Sequence, residues 1–170
     1  AQKLFWGTPQ YTDKVTPIET NFIETNKHHF KLIPIPGHSA DQIALFEAEE
    51  GWLFSADAFV SPIIKYFMRQ ESMKQQIASL RKLIALDFDL LLCCHTPLMK
   101  GGKDQLIQKL AFFEQYYGQV LHWAKLGDPP HTILKKMGKK ERWSGYLLSG
   151  GNMAAINMVH SVLRDEGLAR

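Results

Sequence analysis

Two stretches constrain this chain more than any others: LIPIPGHSADQIALFEAEEGWLFSADAF, from Leu32 to Phe59, and LLLCCHTP, from Leu90 to Pro97. Each sets short apolar, β-branched or aromatic runs between turn residues, the pattern of strands in a sheet. His38 follows the first run, Asp57 follows a later one, and His95 follows the last. Imidazoles and a carboxylate delivered from strand ends into one cleft are the donors of a metal site that keeps positions open for water and substrate. A sheet with chemistry at one edge is therefore expected.

The remaining elements are read in the same way. NFIET and HHFKLIPIP, separated by the polar pair Asn26-Lys27, predict strands between Asn21 and Ile35, stopped by Pro36 and Gly37. Gln42 to Glu47 and Gly51 to Ser55 predict a strand pair joined by the acidic turn AEEG, with Gly51 supplying turn geometry. Asp89 to Cys94 is an unbroken apolar run, which predicts a strand covered on both faces. Met73, Ile77, Leu80, Leu83 and Ile84 recur at helical spacing, so Glu71 to Leu86 is predicted as an amphipathic helix lying on the sheet.

Beyond Gly101-Gly102 the chain predicts a long helix over about 104–126, closed by GDPP, then helices over about 130–137 and 152–166. Phe112, Phe113, Tyr116, Tyr117 and Trp123 fall at helical intervals and are expected in the core. The fold class is α/β (α+β), with a sheet-bearing part over 1–102 and a helical C-terminal extension over 103–170.

Composition narrows the partners. With 45% hydrophobic and 22% charged residues the 170-residue chain is an ordinary folded protein. Its net charge of +3 comes largely from KKMGKKER, Lys135 to Arg142. Such a run is a solvated face, and with only Trp143 and Tyr146 beside it the interleaved aromatics of a nucleic-acid groove are missing, so nucleic acid is not an expected partner. No apolar run is long enough to span a bilayer and no signal-peptide pattern is visible, so no membrane partner is expected. Cys93 and Cys94 are adjacent, a disulfide between them would close a strained ring, and a cytoplasmic location is expected.

PGHSADQ, LFSADAF and CCHTPLMKGG together resemble the second half of a metallo-β-lactamase-fold hydrolase of the glyoxalase II-like kind, over about residues 20–102. The resemblance implies an αββα sandwich with a dinuclear site at one edge. In that family the ligands come from an early H-x-H-x-D-H motif, a histidine in a PGH-type turn, an aspartate in a GD-type turn and a late histidine. His38, Asp57 and His95 match the last three in order. By resemblance, His38 binds one metal, His95 binds the other, and Asp57 bridges them and serves catalysis. The implied metal is zinc, with iron and manganese also suited to these donors. The implied partner is a small-molecule ester, thioester or lactone.

Around these residues, Gly37 lets the backbone turn sharply before His38. Ser39 and Thr96 are candidate hydrogen-bond partners of the two imidazoles. Tyr66 and Arg69 are candidates to reach an acidic or acyl group. Asp41 reads as a turn or capping residue, and His122, His131 and His160 as surface or packing residues on helices.

Two departures and one absence matter. Ala56 stands where the family usually has glycine before its aspartate, and Cys94 precedes the late histidine where glycine is common, so a β-carbon at either place is expected to shift a ligand slightly. The motif H-x-H-x-D-H does not occur in the chain. His28 and His29 are adjacent rather than alternate and so point to opposite faces of a strand. The expectation is a portion of a longer polypeptide, holding metal weakly and inactive by itself, with an apolar sheet face through which it self-associates. Two rival readings are a non-catalytic binding or structural module of the same fold and, from the basic run, a nucleic-acid-processing member.

Overall fold

The alternation of apolar runs and turns folds into the strands β1 (Phe22–Glu24), β2 (His29–Pro34), β3 (Ile43–Glu47), β4 (Trp52–Ala56) and β5 (Leu90–Cys93). The helices are α1 (Met73–Ile84), α2 (Gly102–Lys125), α3 (Pro130–Lys136) and α4 (Ile156–Asp165). This computed structural model describes residues 8, 12–95, 97, 98, 100–141, 146, 147 and 149–168. The sheet order is β1-β2-β3-β4-β5. The first three pairings are antiparallel and the last, β4 with β5, is parallel.

This topology sends β2, β4 and β5 in one direction, so the residues that follow them emerge at the same edge. A parallel partner for β4 needs a crossover, and α1 supplies it. Ser72 caps α1, its hydroxyl accepting from the Gln75 amide at 3.2 Å. Met73, Ile77, Leu80 and Leu83 form the buried stripe and share one core with Ile33, Ala44, Leu53 and Leu91 of the sheet. Gly102 lets α2 start tight against β5, since a β-carbon there would collide with that of Leu91.

Among the described residues, the apolar run of β5 is fully covered on one face only. Leu91 is buried, but Leu90, Leu92 and Cys93 are half-buried. Leu32, Leu45, Phe54 and Leu92 pair in register as a half-buried row across four strands. By strand alternation they lie on the face opposite Leu53 and Leu91. The expectation of two covered faces is thus corrected: the apolar run reflects a second apolar sheet face, not a second layer over it among the described residues.

In α2 the buried positions Leu106, Lys109, Phe113, Tyr116 and Val120 follow helical spacing, while Phe112, Tyr117 and Trp123 are partly buried against the same core. The last helix starts at Ile156 rather than near Asn152. The Asn157 amide donates to the carbonyls of Phe67, Gly151 and Asn152 at 2.9–3.1 Å, holding the preceding residues in a turn. Glu141 accepts from the Ala155 and Ile156 amides at 2.9 and 3.2 Å, a cap from another segment.

In the basic run, Lys136 pairs with Asp128 at 2.6 Å and lies 4.1 Å over the Trp123 ring, while Lys139 lies 5.3 Å over Phe112. Arg142 and Trp143 lie outside the described residues. No described helix is long and apolar enough to cross a membrane.

Candidate active site

At the edge where β2 ends, the PGH turn packs directly on the first turn of α1. Gly37 has φ +137°, and a β-carbon there would stand 2.5 Å from Gln76 Cγ and 2.6 Å from its amide nitrogen. Its carbonyl accepts from the Ser72 amide at 2.9 Å. This contact sets His38 beside Glu71, the residue before the helix cap.

The three residues singled out in the sequence come together. His38 Nε2 is 3.7 Å from Asp57 Oδ2, and His95 Nε2 is 3.1 Å from Asp57 Oδ1. Each oxygen of one carboxylate therefore faces one imidazole. On its other side, His38 Nδ1 lies 3.3 Å from Glu71 Oε1.

Glu71 is held from several directions. Its Oε1 accepts from the Met68 amide at 3.0 Å and its Oε2 from Gln76 Nε2 at 2.6 Å. Its backbone carbonyl accepts from Ser161 Oγ at 3.0 Å and Arg164 Nη2 at 2.7 Å, both on α4. Hydrogen bonding to Glu71 is the chief reason the His38 pKa is raised, with the charges of Glu71 and Asp57 adding to it and burial opposing. A carboxylate on Nδ1 that leaves Nε2 toward the cleft is the arrangement that orients a ligating histidine.

Sequence reasoning missed Glu71, reading it only as the start of a helix. Its backbone carbonyl is held by Ser161 and Arg164 of α4, partners that the local sequence does not announce. It takes the place expected for Ser39, whose hydroxyl donates instead to Asp41 Oδ1 at 2.8 Å. Asp41 is accordingly a turn residue. Thr96 lies outside the described residues. Arg69 does not line the cleft, its Nη2 lying 3.5 Å from the Gly150 carbonyl, while Tyr66 does.

Asp57 sits on a constrained turn. The β4–β5 register shifts between Phe54 and Ala56, and Ala56 adopts φ +46°. A left-handed residue with a β-carbon costs about 1–2 kcal/mol relative to glycine. Ala56 thus carries its β-carbon in a left-handed conformation that glycine would take without that cost. The Ala58 amide donates to the Ser55 carbonyl at 3.0 Å, and Lys109 Nζ donates to the Ala58 carbonyl at 2.8 Å.

Lys109 is only 2% exposed. Burial pushes its pKa down from 10.5 to about 8, against the charges of Glu71, Asp57 and Cys93. Cys94, beside His95, has its thiol pKa raised, by desolvation first and by the nearby Asp57 second. Lys109 was also missed in the sequence, although a lysine inside the apolar stripe of a helix is itself a signal.

The lysine shift predicts a pH effect. Its folded pKa lies below its unfolded value, so its charge destabilises the fold below about pH 8, and stability rises as pH climbs from about 8 to 10.5. Lys109→Met removes that term, on the order of 3 kcal/mol, less the lost bond to Ala58. Its advantage over wild type in urea midpoint is expected to be greatest near pH 7 and largely gone by pH 10.5. A difference constant across that range would contradict the sign.

A cleft of about 700 Å³ opens on this site, with His38, Asp57, Glu71, His95 and Lys109 at one end and Val60, Ile63, Ile64, Met68 and Met153 along its wall. Among the described residues, no three or more His, Cys, Asp or Glu side chains form an assembled metal site. The donors present nevertheless suit a cation in kind. Asp57 Oδ1 is buried without a hydrogen-bond partner, although His95 Nε2 is 3.1 Å away. A carboxylate oxygen in that position, flanked by imidazoles, is chemically suited to a divalent ion.

A family model described as the metallo-beta-lactamase superfamily matches residues 6–95. A metallo-beta-lactamase family protein from Thermus thermophilus is similar in structure, with a TM-score of 0.63 and 19% identity, over 97% of this chain and 57% of that one. The sec-alkylsulfatase Pisa1 from Pseudomonas sp. aligns with a TM-score of 0.66 and 14% identity, over 89% of this chain and 26% of that one. A beta-lactamase domain protein from Burkholderia ambifaria aligns with a TM-score of 0.55 and 19% identity, over 66% of this chain and 37% of that one. The chain thus spans little more than half the length of the first of these structures and less of the others. No curated protein matches it.

Proposed function

The chain belongs to the metallo-beta-lactamase superfamily, and from that membership we propose that it carries later ligands of a metal-dependent hydrolase acting on a small-molecule ester, thioester or lactone. His38, Asp57 and His95 are the proposed ligands, with Asp57 as the bridge. Zinc suits the donor set, and iron or manganese accept the same donors. The observation that carries this reading is the central carboxylate, whose two oxygens face two imidazoles at 3.1 and 3.7 Å.

When bound, a divalent cation polarises a scissile carbonyl and lowers the pKa of water. The chain's own residues do the positioning. Glu71 accepts a hydrogen bond from Nδ1–H of His38 and leaves Nε2 facing Asp57 and the cleft. Asp57 holds negative charge between the histidines. The wall of Val60, Ile63, Ile64 and Met68 receives the apolar part of a substrate and keeps water from it.

The test is metal analysis of the intact protein, followed by ester, thioester and lactone hydrolysis after loading with zinc, iron or manganese. Stoichiometric metal and hydrolysis in at least one metal form are expected. Glu71→Gln, which keeps the shape but loses the charge, should weaken metal affinity by about 10–100-fold. An intact protein with neither metal nor hydrolysis sinks the reading, and wild-type metal affinity in the glutamine variant removes Glu71 from it.

A further inference from the structure

We propose that Lys109 is a positioning residue for Asp57, clamping the strained Ser55–Ala58 turn from α2. This rests on the assignment of Asp57 to the metal. The stripe Leu106, Lys109, Phe113, Tyr116 is buried throughout, and a lysine in it is chemically out of place. Its side chain passes the Phe113 ring, 5.2 Å from the ammonium, and ends on the Ala58 carbonyl at 2.8 Å. Ala58 is the neighbour of Asp57, and its amide is tied back to Ser55. The turn is thus bonded within itself and gripped from another element.

A grip is needed because Ala56 holds φ +46° where the strand register shifts. Strained backbone persists only where its surroundings over-determine it. Stability alone does not account for the lysine, since an apolar chain of the same length would avoid burying an ammonium. What Lys109 adds is direction. It fixes the Ala58 carbonyl, and through it the peptide that aims the Asp57 carboxylate between His38 and His95.

The experiment compares Lys109→Met, Ala56→Gly and the double variant in the intact protein by three readouts: hydrogen exchange at the Ala58 amide, zinc affinity by competition with a chromophoric chelator, and the urea midpoint at pH 7. Lys109→Met should speed Ala58 exchange and weaken zinc binding, each by about tenfold, with a urea midpoint at or above wild type. Ala56→Gly in that background should restore most of both losses, because glycine takes a positive φ without strain. Unchanged Ala58 exchange in Lys109→Met overturns the proposal. So does a joint fall in midpoint, protection and affinity that Ala56→Gly does not repair, since that marks a merely structural lysine. If no variant and no wild type binds zinc, the metal assignment fails, and Ala58 exchange with its rescue still decides whether Lys109 holds the turn.

Discussion

If Asp57 bridges the proposed metal site, asparagine at position 57 is expected to abolish metal binding while leaving the fold intact. Asp57→Asn keeps the shape of the side chain but removes its charge and replaces one oxygen by an NH2 group that does not coordinate. The Asp57 side chain is 36% exposed, and its Oδ1 makes no hydrogen bond. The carboxylate's charge favours the charged forms of His38 and of the buried Lys109, so a modest loss of stability accompanies its removal, while the side chain's shape and the fold are kept. Metal affinity and kcat/KM are expected to fall by at least about 100-fold, because both imidazoles lose the group they share. The urea midpoint is expected to fall only slightly. Stoichiometric metal in Asp57→Asn would remove this residue from the centre of the site.

Gly37→Ala will have the largest effect on stability. Its φ of +137° lies in a region where glycine is the residue that fits, and the added carbon would meet Gln76 Cγ, N and Cα at 2.5, 2.6 and 2.9 Å. Two of those atoms are backbone, so the first turn of α1 itself would have to move. Combining backbone strain with overpacking gives a loss of about 3 kcal/mol or more. For a chain of this size that lowers Tm by roughly 10 °C. Moving the turn also carries Glu71 away from His38, so metal affinity should fall with stability. Gly118→Ala is the control: Gly118 lies within α2 with open space around it, and the same change there should stabilise by up to about 1 kcal/mol. Equal tolerance at both positions would show that the PGH turn is not packed as described.

Much of the sheet was legible because its signals are local. Strand runs at Phe22–Glu24, His29–Pro34, Ile43–Glu47 and Trp52–Ala56 are bounded by turn residues that speak for themselves. The convergence of His38, Asp57 and His95 was legible through their order after strands. What could not be read depends on distant partners. Glu141 decides where α4 begins from fourteen residues upstream of Ala155. Glu71 becomes the partner of His38 with its backbone held from α4, by Ser161 and Arg164. Ser39, adjacent to His38, was the local choice, and its hydroxyl turned to Asp41. The half-open face of β5 was invisible for a related reason, since an apolar run does not say whether anything covers it.

The parallel pairing of β4 with β5 orders the birth of the site in time. His38 lies between β2 and β3, and Asp57 follows β4, in an antiparallel meander whose contacts are near in sequence, and such contacts close cheaply during folding. His95 arrives by another route, because Trp52 meets Leu90 only after the intervening chain has formed its helical crossover. Loop-closure entropy must be met before that pairing contributes anything. The carboxylate and first imidazole are therefore expected to be in place while the second imidazole is still being delivered, an order that pulse-labelled hydrogen exchange at β3 and β5 would reveal.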